Sequence, residues 1–103
     1  MTYLIHEVFH CRRGMVPEVL KDLKTVNQFL TSHGLTKNGK IGLDFSDRMD
    51  TIVFDSETDS LDKYFGAERA AYVNPSPEFR ALADRVNSNT VSGSRQIFEV
   101  VEL

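Results

Sequence analysis

The chain of 103 residues has no tryptophan, three prolines and a single cysteine, Cys11. One cysteine cannot form an intrachain disulfide, a four-thiolate iron–sulfur cluster or a cysteine-rich zinc site. We therefore expect a reducing, cytoplasmic setting. No stretch approaches the roughly 18 apolar residues of a membrane span, and the N-terminus lacks the basic and apolar regions of a signal peptide. No membrane partner is expected.

An excess of charge of one sign is also missing. Fifteen acidic and 12 basic residues give a formal net charge of −3, which provides no sequence-wide field to attract nucleic acid or an anionic membrane. The hydrophobic fraction is 41% and the charged fraction 26%, as in ordinary globular domains. We expect one domain spanning residues 1–103.

The first half of the chain has the pattern of a strand, a helix and a hairpin. Apolar and β-branched residues fill Tyr3–Cys11 and predict a strand with apolar groups on both faces. Apolar residues then recur at helical spacing over Pro17–Ser32, and Gly34 follows as a stop signal. The alternating segment Lys40–Phe45 and the β-branched segment Thr51–Asp55 predict two strands of an antiparallel hairpin.

The second half predicts an interrupted helix and a last strand. Asp59 or Ser60 can cap the first part of this helix. Its predicted apolar stripe consists of Leu61, Phe65, Arg69 and Tyr72, with Tyr64 beside it. The sequence Ser76–Glu78 starts a second helical part, because a capping hydroxyl precedes a proline and an acidic residue. The apolar residues of Arg95–Leu103 predict the final strand.

This order of elements is typical of the ferredoxin-like β-α-β-β-α-β fold, which has a four-stranded antiparallel sheet with helices on one face. The helices cover only one face of such a sheet, whereas the first, third and fourth strands carry apolar residues on both. An uncovered apolar face of this size is rare in monomers. We therefore expect a homodimer that packs through the open sheet face, since one patch is self-complementary across a two-fold axis.

Several segments resemble one group of families. They are Glu7–Glu18, Asp47–Val53, Ser60–Tyr64, Pro77–Phe79 and Gly93–Val100. Together they cover nearly the whole chain, which resembles the NIPSNAP-like and antibiotic-biosynthesis-monooxygenase-like families. The first helix lacks the aromatic cluster that many of these relatives carry.

The resemblance implies a dimeric α/β barrel, in which two sheets pack face to face and each subunit has a pocket between sheet and helices. The superfamily includes cofactor-free monooxygenases, haem-degrading enzymes, isomerases and proteins without known activity. The resemblance therefore allows either no cofactor or haem, and the fold does not decide the function.

Two histidines interrupt the first strand. His6 and His10 lie on the same face, and at about 3.3 Å per residue they are roughly 13 Å apart, too far to bind one metal ion. We expect no metal site. An imidazole has a pKa of about 6.5, which suits a general base acting on a phenol or enol, and His6 and His10 are our catalytic candidates. The alternative is a hydrogen-bonded core or rim histidine.

Aromatic residues on the helical segment that is expected to cover the sheet suggest a pocket. Four aromatic residues are candidates for an aromatic ligand site, or are simply core: Tyr64, Phe65, Tyr72 and Phe79. Glu7 points to the face opposite the histidines, among apolar neighbours. Burial there would raise its pKa or require a cation, for which the candidates are Arg95, Arg12 and Arg69. We favour a structural or interface ion pair over catalysis for Glu7.

Two functional hypotheses remain. The first is a monooxygenase-like or isomerase-like enzyme that acts on a hydrophobic carbonyl or phenolic compound in an apolar pocket. The second is a non-catalytic module that binds a small hydrophobic ligand or a partner. RNA recognition modules share the element order, but the third strand, Asp50–Asp55, lacks their basic and aromatic pattern. We therefore expect no nucleic-acid partner.

Overall fold

The strands form one antiparallel sheet in the order β2-β3-β1-β4. The computed structural model describes residues 1–103. Its elements are β1 (Tyr3–Cys11), α1 (Val16–Ser32), β2 (Lys37–Leu43), β3 (Thr51–Thr58), α2 (Leu61–Val73), α3 (Pro77–Ser88) and β4 (Thr90–Glu99). The helices pack on one face of the sheet, so the predicted ferredoxin-like arrangement is confirmed. None of the helices combines the length and apolar character needed to cross a lipid bilayer.

The helix start and stop signals lie where the sequence predicts them. The Ser60 hydroxyl accepts a hydrogen bond from the Lys63 N–H at 3.2 Å and starts α2. The Ser76 hydroxyl accepts one from the Phe79 N–H at 3.1 Å and starts α3. Gly34 follows α1 with a φ of +66°, a conformation that glycine adopts without steric cost. Each of the two serine caps satisfies a backbone donor that has no partner inside its helix.

The last strand lies earlier in the chain than predicted. It is Thr90–Glu99 rather than Arg95–Leu103. Pairing with β1 sets this range, because Glu99 lies opposite Tyr3 at the beginning of β1. After one more hydrogen bond, from the Val100 N–H to the Thr2 carbonyl, β1 provides no further residues for pairing. Strand propensity alone does not carry the ladder further.

The hairpin strands also differ from the prediction at their ends. β2 is Lys37–Leu43 rather than Lys40–Phe45, and β3 continues past Asp55 to Thr58. Asp44 ends β2 because its carboxylate accepts a hydrogen bond from the Ser46 N–H at 2.7 Å. Such side-chain bonds to the local backbone compete with the ladder.

The core lies between α1 and the two central strands. Its fully buried members are Ile5, Val19 and Ile52, and Cys11, Leu23 and Phe54 are buried beside them. Only 12 of the 103 residues are buried, and α2 and α3 contribute a single one, Tyr64. The sheet and α1 therefore hold most of the packed interior, whereas α2 and α3 cover the sheet loosely.

The open face of the sheet is mixed in character. Alternation along β1 places Leu4, His6, Val8 and His10 on this face. Val53 of β3 lies opposite Val8, and Phe98 of β4 lies opposite Leu4. Apart from these apolar residues, β3 and β4 present polar side chains here, including Asp55, Glu57, Ser92, Ser94 and Gln96. The open face is therefore less apolar than the sequence pattern predicts.

Candidate functional site

A cavity of about 190 Å³ lies between the sheet and the three helices. Its sheet wall consists of Glu7, Phe9, Phe54 and Arg95. The helices line it with Leu23, Val26, Phe29, Leu30, Tyr64, Ala67, Glu68, Ala71, Tyr72, Phe79, Leu82, Ala83, Val86 and Asn87. Three alanines stand among these helical residues, and their short side chains do not reach the sheet. The cavity is thus a gap in the core with a mostly apolar lining.

Glu7, Arg95 and Glu68 form the polar end of the cavity, which we call the acid–guanidinium cluster. Glu7 of β1 and Arg95 of β4 are cross-strand partners. The Nη2 and Nε atoms of Arg95 donate to Glu7 Oε2 at 3.1 and 3.3 Å. The Nη2 and Nη1 atoms also donate to the two carboxylate oxygens of Glu68 in α2, at 2.6 and 3.1 Å. One guanidinium therefore joins the outer edge of the sheet to α2.

The surroundings shift the protonation equilibria of this cluster. Burial raises the pKa of Glu7 above its usual value, although the charge of Arg95 and its hydrogen bond act in the opposite direction. The pKa of Arg95 is also raised, chiefly by the hydrogen bond to Glu68. Burial raises the pKa of Tyr64, and the negative charge of Glu7 adds to this effect. Glu7 is therefore a better proton acceptor than an exposed carboxylate.

Aromatic residues surround the guanidinium. The Cζ of Arg95 lies 5.6 Å from the centre of the Tyr64 ring and 6.0 Å from that of Phe65, within the range of cation–π attraction. Tyr64 is 4% exposed. Tyr72 and Phe79 pack edge to face at 5.5 Å.

Three of the four aromatic residues predicted for the pocket line the cavity. They are Tyr64, Tyr72 and Phe79, whereas Phe65 lies outside it. The residues of α2 that line the cavity are Tyr64, Ala67, Glu68, Ala71 and Tyr72. The predicted stripe is therefore right for Tyr72 and wrong for Phe65 and Arg69. Large side chains such as Phe65 determined the predicted stripe, whereas small residues occupy much of the inward face.

The two histidines do not reach the cavity. Both lie on the open face of the sheet, whereas Glu7 and Phe9 point to the face that the helices cover, because side chains alternate along β1. His6 Nδ1 is 2.6 Å from Asp55 Oδ1, and His10 Nδ1 is 3.0 Å from Thr51 Oγ1. No group of three metal-ligating side chains comes together in the structure. A catalytic role for His6 or His10 stays a prediction, and it would require chemistry on the open face.

Sequence reasoning identified Glu7 as a buried acid and named Arg95 among its possible partners, but it missed Glu68. The spacing of residues along α2 contained a signal that could have identified Glu68. Glu68 lies four residues after Tyr64, so both side chains share one face of α2. An acidic residue on an inward helical face requires a cation, and Arg95 of β4 is the cation that it meets.

A groove on the outer side of the helices lies beside the cavity. The groove has a volume of about 650 Å³ and shares Phe29, Phe79 and Leu82 with the cavity. Asp22 and Arg85 border it and tie α1 to α3 through two hydrogen bonds of 3.0 and 3.2 Å.

Haem, which the resemblance allows, does not fit this cavity. Pockets for drug-sized ligands measure roughly 300–1,000 Å³, and haem is at least as large as such ligands, whereas the cavity measures about 190 Å³. Of the residue types that serve as axial ligands of haem iron, the lining contains tyrosine, at Tyr64 and Tyr72, and no histidine, cysteine or methionine.

Comparisons with known proteins give similarity at the level of the fold. No family model matches the sequence, and no curated protein matches it. Among solved structures, a NIPSNAP family protein from Agrobacterium tumefaciens has a TM-score of 0.75 and 15% identity, covering 99% of this chain and 95% of that protein. SnoaB, a cofactor-independent oxygenase from Streptomyces nogalater, has a TM-score of 0.75 and 12% identity, with 99% and 95% covered.

A dimeric protein of unknown function with a ferredoxin-like fold, from Bacteroides fragilis, is also similar. Its TM-score is 0.66 and its identity 18%, with 96% of both chains covered. The structural neighbours include antibiotic-biosynthesis-monooxygenase-like proteins as well. The resemblance stated from the sequence is therefore confirmed as a likeness of fold to both groups.

Proposed function

We propose that this protein is a cofactor-independent enzyme, of the oxygenase or isomerase kind, that acts on a small hydrophobic carbonyl or phenolic compound bound in the cavity. The observation that carries the proposal is the cavity itself, which has apolar walls, one polar cluster and access to solvent beside the exposed Tyr72. The fold likeness to SnoaB, an oxygenase without a cofactor, supports the reaction class.

The size of the cavity limits the ligand. An engineered apolar cavity of ~150 Å³ binds benzene, and this cavity measures about 190 Å³. A single ring with one or two small substituents fills such a space.

Glu7 is the proton acceptor in this proposal. Both hydrogen bonds from Arg95 reach its Oε2 atom, which leaves Oε1 to accept a hydrogen bond from a ligand. The raised pKa of Glu7 brings the carboxylate closer to the pKa that a general base needs at neutral pH. Once Glu7 has taken the proton it is neutral, so Arg95 keeps only Glu68 as an ionic partner and its charge can stabilise the deprotonated substrate.

The test begins with mass spectrometry of the purified protein under native conditions, to detect bound small molecules. Ala83→Phe fills the cavity from α3, and Ala81→Phe adds the same ring at an exposed position of that helix. We expect Ala83→Phe to lose the bound molecule and Ala81→Phe to retain it. Equal retention by both variants would overturn the proposed binding site.

A non-catalytic ligand-binding role is the second candidate. One observation favours it, because the three charged groups of the cavity are already paired with one another. Turnover of the identified molecule separates the two functions. Glu7→Gln should lower turnover by about 10²–10⁴ if Glu7 is the general base, whereas a binding module shows no turnover in either form.

We also propose that the chain forms a homodimer through the open sheet face. Leu4, Val8, Val53 and Phe98 supply apolar contacts there, and Phe98 is 47% exposed in one chain. The dimeric ferredoxin-like protein of similar structure supports this assembly. The polar residues of this face then become the rim of the interface or pair across it.

A further inference from the structure

We propose that Glu68 determines the charge specificity of the cavity, because it occupies Arg95 and thereby excludes ligands that carry a carboxylate. This inference rests on the proposed function, since it concerns the ligand of the same cavity. A lone guanidinium at the end of an apolar cavity would bind carboxylates through a two-pronged contact. In this protein the carboxylate of Glu68 already makes that two-pronged contact with Arg95.

The hydrogen bonds of Arg95 leave no free edge for a second carboxylate. Four hydrogen bonds link its guanidinium to two acids, and they involve all three of its nitrogen atoms. Binding a ligand carboxylate in two-pronged geometry requires two parallel N–H groups on one edge. An anionic ligand therefore has to displace Glu68 or Glu7 from Arg95.

The net charge of the cluster acts in the same direction. Two carboxylates and one guanidinium sum to −1, and the remaining lining of the cavity is mostly apolar. In such surroundings charges interact more strongly than in water. A ligand carboxylate meets repulsion from Glu7 and Glu68, whereas a neutral hydroxyl can donate to Glu7 Oε1. The cavity therefore prefers neutral ligands with a hydrogen-bond donor.

Glu68 can be changed without disturbing the packed core. Its side chain is 32% exposed and extends from α2, which buries only Tyr64. Glu68→Gln keeps the size of the side chain and removes one negative charge. Arg95 then keeps Glu7 as its ionic partner, and the cluster becomes neutral overall.

Benzyl alcohol and benzoate are suitable probes, because each has one ring and they differ in charge. Isothermal titration calorimetry at pH 7 should show that the unmodified protein binds benzyl alcohol at least tenfold more tightly than benzoate. Glu68→Gln should raise the affinity for benzoate at least tenfold and change that for benzyl alcohol by less than about twofold.

Two variants serve as controls, Glu57→Gln and Ala83→Phe. Glu57→Gln removes the same charge from the open face of the sheet, so it should leave both affinities within about twofold. If benzoate binds the unmodified protein as tightly as benzyl alcohol, or if Glu68→Gln does not strengthen benzoate binding, the inference is wrong while the cavity stands. If neither probe binds any form, or if Ala83→Phe binds as the unmodified protein does, the proposed function fails together with it.

Discussion

Glu7 and Arg95 lie opposite each other on neighbouring strands, and their side chains meet at 3.1 Å on the sheet face that the helices cover. The pairing places a charged contact beside an apolar cavity. Water reaches it only in part, since the Glu7 side chain is 19% exposed. This one relationship links the register of the sheet to the chemistry proposed for the protein.

Glu7 should make folding stability depend on pH. Its pKa is higher in the folded chain than its usual value of 4.5, so above that pH the folded state holds more protons than the unfolded state. The free energy of unfolding therefore falls as the pH rises from 4.5 through the folded-state pKa. Urea unfolding between pH 4.5 and 8 should show a steeper fall for the unmodified protein than for Glu7→Gln. Parallel curves would contradict the raised pKa.

The homodimer should depend on the open face. Val8→Glu places a charge at the centre of that face, opposite Val53, where pairing with a second sheet would bury it without a partner. Sedimentation velocity should show a dimer for the unmodified chain and a monomer for this variant. Val73→Glu, at a position that is 77% exposed at the end of α2, should remain dimeric. A monomeric unmodified protein would refute the assembly.

The histidines should not affect binding in the cavity. His6→Gln and His10→Gln change only the open face, so each variant should keep the affinity for a cavity ligand within about twofold. Loss of a general base lowers turnover by about 10²–10⁴. If either variant loses turnover on that scale at unchanged affinity, the original prediction for the histidines holds and Glu7 is not the base.

The packed part of the core should be sensitive to truncation. Ile52 is fully buried between α1 and the sheet, and Ile52→Ala should cost about 2–5 kcal/mol of unfolding free energy. Ile52→Val should cost about 0.5–1.5 kcal/mol of unfolding free energy. This milder variant can still be measured if the alanine variant does not fold. Val91→Ala, at a position that is 64% exposed, should stay within about 0.5 kcal/mol. Chemical denaturation of the three variants measures these differences.

Local signals in the sequence predicted most of the fold. Ser60 and Ser76 cap helices through their own hydroxyls, and the alternation of Ile41 and Leu43 marks a strand, so each feature can be read within a few residues. The range of β4 could not be read in this way, because pairing with Tyr3 and its neighbours sets it. Ser92, Gly93 and Ser94 form strand although their own propensity is low.

The candidate site could be predicted only in part, for a related reason. The position of Glu7 in an apolar strand showed that it needs a cation, but several arginines were available, and only the register of β1 and β4 selects Arg95. The sequence alternation also separated His6 and His10 from Glu7. Which of the two faces the helices cover depends on packing between distant segments, which local patterns do not contain.

The alanines that line the cavity have a consequence for how the molecule melts. α2 and α3 pack over a cavity rather than over a filled core, so a ligand of the right shape would supply the packing contacts that are missing beneath them. Each tenfold increase of its free concentration above the dissociation constant would then add about 1.4 kcal/mol to stability. A rise in melting temperature with ligand concentration thus reports binding, and it can be measured before any reaction is known.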